Sequence, residues 1–293
     1  MKKIAVFGLK AKAEQKESFD LFFSELQKKG IEIWVEEKFM LILKKLISFD
    51  FEEIQTFSTY ENLPDDTNLM FTFGGDGTIL EAATIIKDKM IPVVGVNTGR
   101  LGFLATINIE LLFDKLDEIL SGTYNISRRS LIAVESKEEA IEDNFALNEI
   151  TVTRRETTSM ITVRAWMNGE FLNSFWADGL IVSTPTGSTG YSLSCGGPIM
   201  HPNNNTFIIT PIAPHNLNVR PFIISDDAVL DLVIESRVDE YFLSLDARNK
   251  PLSTQVKLRI KKADFEILIV EPTDKSYLVT LRDKMFWGSD KRN

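Results

Sequence analysis

An apolar run, a glycine-rich turn and a helical pattern follow one another at residues 69–87. The run Leu69–Phe73 leads into Gly74–Thr78, with the sequence GGDGT, and a helical pattern then extends from Thr78 to about Lys87. Three glycines around one carboxylate, at the end of a strand, predict a tight turn whose backbone N–H groups can approach an anion. The turn lacks the Gly-Lys-Ser/Thr of a P-loop, and Leu80 occupies the third glycine position of the dinucleotide fingerprint. On this motif alone, phosphate chemistry and a plain turn capped by aspartate both remain open.

Strands and helices alternate through residues 1–123. Phe19, Phe22, Phe23 and Leu26 recur at helical spacing before Lys29-Gly30, which is typical of a helix end. The other predicted elements are strands at Lys3–Gly8, Ile31–Val35, Leu69–Phe73 and Ile91–Val96 and a helix at Phe39–Ile47. This alternation predicts an α/β domain with a parallel sheet covered by helices. Ligands of such sheets bind beyond the carboxyl ends of the strands, where the GGDGT turn lies.

From Tyr124 onward the pattern changes to short β-rich runs. Asn168-Gly169 separates two alternating segments and predicts a β-hairpin. Further predicted strands are Phe207–Thr210, Val229–Ser236, Tyr241–Leu245, Val256–Ile260 and Phe265–Val270. Residues 124–270 are therefore predicted to form a mostly antiparallel all-β domain. The tail, residues 271–293, has an apolar-faced segment at Ser276–Trp287, which we expect to return to the first domain.

Charge and cysteine content restrict the class of protein. The formal net charge of the 293 residues is -9, which argues against a general nucleic-acid-binding protein because such proteins need surplus Lys and Arg. A single cysteine, Cys195, allows no internal disulfide and is typical of a reducing compartment. No apolar stretch is long enough to span a membrane. We therefore expect a cytoplasmic protein that binds neither nucleic acids nor membranes.

A dense row of hydroxyl groups occupies Asp178–Pro198. Within it Ser and Thr alternate with glycines around Tyr191, and the run contains no Lys, Arg or Glu. Hydroxyls and exposed amides can bind a ribose, an amide or phosphate oxygens, and a tyrosine can stack on a planar base. This composition favours a binding loop over a Ser/Thr-rich surface connection.

These segments together resemble the NAD kinase family. The segments that carry the resemblance occur in the family's order and are Gly74–Thr78, Asn97–Leu104, Asn148-Glu149, Asp178–Pro198, Thr210–His215 and Arg220-Pro221. The resemblance covers about residues 70 to 222. It implies ATP-dependent phosphorylation of the 2′-hydroxyl on the adenosine ribose of NAD, giving NADP.

The resemblance also implies roles for individual residues. Asp76 is the implied catalytic residue, which accepts the proton of that hydroxyl or orients it. Gly74, Gly75 and Thr78 complete the phosphate turn. The implied substrate-binding residues are Gly77, Asn148, Glu149, Asp178, Thr189, Gly190, Tyr191, Ser192, Leu193, Ser194 and Ala213. ATP is the implied phosphoryl donor and Mg²⁺ the implied divalent metal, with no metal-ligand set assigned to the protein. Family members are commonly homodimers or homotetramers, and we expect the same here.

Two positions depart from the family pattern. Gly190 stands where the family usually has Ala, a change expected only to loosen the backbone. Leu245–Arg248 stands where an Asp-Gly-Gln run is common, so that Arg248 replaces the glutamine and is predicted either to contact a phosphate or to point to solvent.

Two other functions remain open from the sequence. Lipid and sugar kinases share the acidic glycine turn but lack a match to Asp178–Pro198. A protein that senses NAD(P) without turnover would keep the same pocket, although the intact Asp76 argues against it.

Overall fold

The computed structural model describes residues 2–99, 101–155, 159–274 and 276–287. It separates into two compact units. One contains the described residues up to Arg128 together with those from Ile267 onward, and the other runs from Arg129 to Glu266.

The first unit is an α/β unit. Its strands are β1 (Lys3–Gly8), β2 (Glu32–Glu36), β3 (Gln55–Phe57), β4 (Leu69–Gly74), β5 (Val93–Asn97) and β6 (Ile107–Asn108). Its helices are α1 (Lys16–Lys28), α2 (Glu37–Leu46), α3 (Asp76–Ile86) and α4 (Leu112–Ser121), together with the C-terminal helix Tyr277–Met285. The predicted α/β class and the return of the tail to the first domain are confirmed. Helix α3 begins at Asp76, two residues before the predicted start, so the acid of the turn is also the first helical residue.

Five strands of this unit pair in parallel, in the order β3-β2-β1-β4-β5. Successive strands run outward from β1 to β3 on one side and from β4 to β5 on the other. The direction of winding therefore reverses between β1 and β4. In open parallel sheets, the crevice beyond the carboxyl ends of the strands at such a switch point is where ligands bind. Gly8 and Gly74 are the last residues of these two strands.

Phenylalanine packing fixes the end of β4. Phe19 and Phe22 of α1 are fully buried, and their ring centroids lie 4.9 and 5.1 Å from that of Phe73. Phe22 also lies 5.2 Å from Phe71, in a tilted arrangement that aromatic pairs prefer. The residue before Gly74 is thus held by a rigid aromatic core.

The second unit consists of antiparallel sheets. Its strands are β7 (Asn125–Glu135), β8 (Phe145–Ala146), β9 (Glu149–Arg154), β10 (Ile161–Met167), β11 (Glu170–Ala177), β12 (Gly179–Ser183), β13 (Thr206–Ile212), β14 (Phe222–Ser225), β15 (Leu230–Glu235), β16 (Glu240–Leu245), β17 (Arg248–Ser253) and β18 (Leu258–Glu271). The residues of β7 up to Arg128 and those of β18 from Ile267 belong to the first unit. One sheet has the order β14-β13-β12-β9-β16-β17, and β11, β10, β15 and the start of β18 are neighbours in the other. Buried side chains of both sheets, such as Val163 and Leu180, share one apolar core. The predicted antiparallel β domain is confirmed.

Asn168-Gly169 forms the predicted hairpin turn. Both residues have positive φ, 51° and 85°, as a tight two-residue turn requires. Strands β10 and β11 pair on either side of it. Asn168 Oδ1 also accepts a 2.9 Å hydrogen bond from Val229 N–H, which fixes the turn against the start of the next strand pair.

Two sequence-based expectations differ from the structure. Leu258–Ile260, the end of one predicted strand, and Phe265–Val270 are parts of one fourteen-residue strand, β18, because the polar residues that separate them continue the extended backbone. Asp178–Pro198 is not a loop throughout. Gly179–Ser183 is a fully buried strand, followed by a 3₁₀ turn at Thr186–Thr189 and a short helix, α5, at Tyr191–Ser194.

Candidate active site

A cavity opens at the carboxyl ends of β1, β4 and β5 in the first unit. Its volume is about 380 Å³. It is lined by Leu9, Lys10, Lys12, Gln15, Phe73, Gly74, Gly75, Gly77, Thr78, Asn97, Thr98 and Gly99. The predicted phosphate turn therefore forms one wall of a cavity at the switch point of the sheet.

Asp76 is held by the main chain of a neighbouring loop. Its Oδ1 accepts hydrogen bonds from the N–H groups of Leu104 (2.9 Å) and Ala105 (3.0 Å), and its Oδ2 accepts one from Phe103 (2.8 Å). Three fixed donors determine both the position and the rotation of the carboxylate.

Hydrogen-bond capacity decides what this carboxylate can still do. An ionised carboxylate offers about four lone-pair positions. Two are used on Oδ1 and one on Oδ2, so Oδ2 retains one acceptor position. A substrate hydroxyl placed there would be oriented by a carboxylate that is already in place.

Two glycines allow the loop to approach Asp76 so closely. A methyl group on Gly102 would lie 1.9 Å from Asp76 Oδ1, and one on Gly95 would lie 2.9 Å from Ala105 Cα. Contacts this short do not occur for real side chains. Gly95 therefore lets the loop pack on β5, and Gly102 lets it reach the carboxylate.

Gly74 is required by the turn itself. A methyl group there would lie 2.0 Å from Thr78 Oγ1, and Thr78 is buried. The first glycine of the GGDGT turn thus makes room for the threonine four residues later.

In the second unit, Asp246 organises the Asn148-Glu149 segment. Its Oδ2 accepts from Leu147 N–H (2.9 Å), and its Oδ1 accepts from the N–H groups of Asn148 (2.8 Å) and Glu149 (3.1 Å). Burial raises the pKa of Asp246, against the lowering effect of these three amides and of Arg248. Asp246 and Asp76 thus have the same structural role. The carboxylate of each accepts hydrogen bonds from three consecutive backbone N–H groups.

The hydroxyl-rich segment packs directly on Asn148. The Asn148 carbonyl accepts from Thr184 N–H at 2.9 Å, and Thr184 Oγ1 donates to Leu147 O at 2.6 Å. A methyl group on Gly187 would lie 2.1 Å from Asn148 O. Gly187 therefore permits a backbone-to-backbone contact that fixes the predicted binding segment against the predicted adenosine-binding pair.

Glu149 carries a carboxyl group in an unusual environment. Its Oε2 is buried and has no hydrogen-bond partner among the described residues. Burial, with a smaller effect of the Asp246 charge, raises the pKa of Glu149 to about 7, while Tyr191 N–H lowers it. A methyl group on Gly190 would lie 2.9 Å from this Oε2. Gly190 therefore does more than loosen the backbone, since its missing methyl gives the Glu149 carboxyl room.

The remaining predicted site residues of this unit differ in exposure. Tyr191 is 44% exposed, and its partial burial raises the pKa of the phenol. Buried Ser192 shares a 2.9 Å hydrogen bond with Thr210 Oγ1, so its hydroxyl supports the segment from within. Thr189 Oγ1 donates to Thr186 O at 3.3 Å, Leu193 is half-buried and Ser194 is exposed.

Asp178 and Ala213 lie next to each other through β12 and β13. Asp178 N–H donates to Ile212 O at 3.0 Å, and its carboxylate pairs with Arg154 at 3.0 Å. Ala213 is exposed and has a φ of 44°, which non-glycine residues rarely adopt. The main chain thus turns sharply at the position where the resemblance implies a wall near a base.

Arg248 takes neither of its two predicted positions. Its Nη1 donates to Asp143 O at 2.7 Å, its Nη2 donates to Phe145 O, and the guanidinium lies 5.3 Å from the Phe145 ring centre. Because burial and these carbonyls hold the side chain, Arg248 supports the segment that leads into Asn148.

Sequence reasoning missed Gly102, Asp246 and Gln15 as parts of the sites. Gly102 and Asp246 lie within segments already noted, and the only local signals were a glycine near a turn and an acid after β16. Each acts through a partner that is distant in sequence, 26 residues away for Gly102 and about 98 for Asp246.

No group of three or more His, Cys, Asp or Glu residues in the described part of the chain could hold a metal ion. The glycine turn contributes a single carboxylate, Asp76, and the cavity beside it is lined by main-chain amides and lysines. Such a site suits a metal ion that arrives already bound to phosphates rather than one held by protein ligands alone.

Among the described residues, no helix is both long and apolar enough to cross a membrane.

Comparison with known proteins adds independent information. Residues 7–124 match the family model of the ATP-NAD kinase N-terminal domain, and residues 147–271 match that of the ATP-NAD kinase C-terminal domain. A relative named NAD kinase from Cytophaga hutchinsonii is 51% identical over 271 residues, which cover 92% of each chain. One from Flavobacterium psychrophilum, with the same name, is 47% identical and covers 99% of this chain and 100% of its own.

Two solved structures are similar in fold. Yeast NADH kinase complexed with NADH has a TM-score of 0.88 at 22% identity and covers 99% of this chain and 89% of its own. An NAD kinase from Archaeoglobus fulgidus in complex with ATP has a TM-score of 0.74 at 24% identity, covering 97% and 98%. The chain thus shares the fold of these two solved structures. By its relatives and both domain matches, the chain belongs to the NAD kinase family.

Proposed function

We propose that this protein is an NAD kinase that transfers the γ-phosphoryl group of ATP to the 2′-hydroxyl of the adenosine ribose of NAD, forming NADP. The observation that carries the proposal is the Asp76 carboxylate. It is fixed by three backbone amides, keeps one acceptor position on Oδ2, and stands between Gly75 and Gly77, which line the cavity.

The proposed role of Asp76 is to orient the acceptor hydroxyl. The 2′-oxygen forms a bond to the γ-phosphorus, the bond from that phosphorus to ADP breaks, and the hydroxyl proton passes to the carboxylate. Phosphoryl transfer depends chiefly on positioning and on stabilising charge, and a carboxylate that is already oriented contributes the first. A divalent metal, Mg²⁺ in our proposal, would neutralise the donor's phosphate charge when bound with it.

The proposed substrate contacts follow the family resemblance. Asn148 and Glu149 hold the adenosine part of NAD, and Asp178, Ala213 and residues 189–194 hold the rest. Support comes from the Asp246 carboxylate and Gly187, which fix the main chain of the Asn148-Glu149 segment. We further propose a homodimer or homotetramer and a cytoplasmic location, both on family resemblance.

The direct test is a product assay on the purified chain. NAD and NADH serve as acceptors, ATP and inorganic polyphosphate as donors, and Mg²⁺ is present or absent. Formation of NADP from NAD and ATP, dependent on Mg²⁺, is expected. Diacylglycerol serves as a control acceptor. If it were phosphorylated and NAD were not, the chain would be a lipid kinase instead.

A further inference from the structure

Three glycines of the cavity have no internal reason to be glycine. Methyl groups built on Gly75, Gly77 and Gly99 would meet nothing within 4 Å, and none of the three has a φ in the left-handed region. Gly74 in the same wall is different, since its methyl would collide with Thr78. Glycine in ordinary backbone geometry costs conformational entropy without a packing gain. The space these residues leave open therefore suits an occupant that comes close to the main chain.

Two cationic side chains line the same cavity as the glycine turn. Lys10 and Lys12 follow β1 and line the cavity. Within the described ranges, Lys10 has no ion-pair partner, and Lys12 pairs only with Glu14, at 3.2 Å. Both side chains of that pair are more than 60% exposed, and such surface pairs are weak. In a chain with a net charge of -9, two lysines next to three open glycines indicate an anionic occupant.

A buried glutamine fixes the lysine segment. Gln15 is only 5% exposed, its Oε1 accepts from Lys12 N–H at 2.9 Å, and its Nε2 donates to Thr98 O at 2.9 Å. The next loop is held similarly, because buried Asn97 accepts from Gly99 N–H at 2.8 Å. Gln15 thus joins the loop after β1 to the loop after β5, and hydrogen bonds within the chain hold both loops beside the cavity.

We propose that Lys10 and Lys12 bind the linked phosphates of the phosphoryl donor, that Gly99 leaves room for them, and that Gln15 is a positioning residue for Lys12. This assignment rests on the proposed kinase function and adds donor-binding residues to it. The chemistry recognised is a chain of linked phosphates, which either a nucleoside triphosphate or inorganic polyphosphate presents.

Charge removal tests the lysines. The variants are Lys10→Ala, Lys12→Ala and the double variant, and Lys44→Ala is the matched control, since it removes an exposed lysine of the same unit outside the cavity. We expect the double variant to raise the KM for ATP at least tenfold and to leave the KM for NAD within twofold, with Lys44→Ala changing neither. A double variant whose KM for ATP stays within twofold of wild type would overturn the assignment.

Calorimetry measures the binding of ATP and of tripolyphosphate to wild type and to the same variants. These measurements distinguish a failure of the proposed phosphate site from a failure of the proposed kinase function. If the wild-type protein bound both but formed no NADP, the kinase proposal would fail and the phosphate site would stand. If tripolyphosphate bound wild type and the double variant equally, the phosphate site would fail whatever the activity. Weaker binding of both ATP and tripolyphosphate by the double variant is the result that the proposal predicts.

Steric filling tests Gly99. Gly99→Ala and Gly99→Val are expected to leave the midpoint of thermal unfolding nearly unchanged, because the methyl group enters open space, and to raise the KM for ATP progressively. An unchanged KM for ATP in both variants would contradict the role of Gly99.

Conservative and non-conservative substitutions test Gln15. Gln15→Leu is expected to raise the KM for ATP, while Gln15→Glu, which keeps the acceptor for Lys12 N–H, raises it less. Equal effects would make Gln15 merely structural.

Discussion

Gly102 and Asp76 are matched so closely that no other residue type fits beside the carboxylate. A methyl group on Gly102 would lie 1.9 Å from Asp76 Oδ1 and 2.5 Å from its Cγ. The loop that supplies three N–H donors to Asp76 therefore depends on the glycine that directly precedes those donors in sequence. Positioning of the acid is a property of two segments, not of the GGDGT turn alone.

Gly102→Ala should displace the Asp76 carboxylate while leaving its chemical identity intact. Misplacement of a reacting group by about 1 Å can cost on the order of a hundredfold in rate, so we expect a fall in kcat of that size. Steady-state kinetics measure it, and NAD binding and thermal unfolding serve as controls for folding. Wild-type kcat in a folded Gly102→Ala protein would show that the loop does not position the acid.

Asp246→Ala should destabilise the protein and weaken NAD binding together. Removing the carboxylate leaves the N–H groups of Leu147, Asn148 and Glu149 without their acceptor, at a cost on the order of 3 kcal/mol. Denaturant unfolding measures the change, and Asp231→Ala is the control, because the Asp231 carboxylate forms an exposed ion pair with Arg259. A loss no larger than that of the control would contradict the supporting role of Asp246.

Glu149 should make stability depend on pH. Its carboxyl has a pKa of about 7 in the folded protein against an ordinary value of 4.5. Between these values the folded state keeps a proton that the unfolded state has lost, so the free energy of unfolding falls as pH rises and levels off above about 7. Glu149→Gln removes this dependence, and its stability gain over wild type should grow by on the order of 3 kcal/mol from pH 4.5 to pH 7.5. A difference that is the same at both pH values would contradict the raised pKa.

The local elements were largely predictable from sequence, and the contacts between distant segments were not. Periodicity located α1, and Asn-Gly located the hairpin at residues 168–169, because both signals lie within a few residues. The two cavity lysines could not be inferred, since Lys10 and Gly75 line one cavity only through the placement of β1 beside β4 in the sheet. The same holds for Asp246 and Arg248, whose partners precede them by about a hundred residues. Here the family resemblance pointed to the substrate residues but not to the groups that hold them.

Replacing Asp76 by asparagine tests the central claim most directly. The substitution keeps the size of the side chain but replaces one carboxylate oxygen by an NH₂ group. That group cannot accept the hydroxyl's hydrogen bond or its proton. With NAD binding and thermal stability measured alongside, we predict that Asp76→Asn binds NAD but forms NADP at least about a hundredfold more slowly than wild type. A folded Asp76→Asn enzyme that retains most of the wild-type kcat would contradict the account.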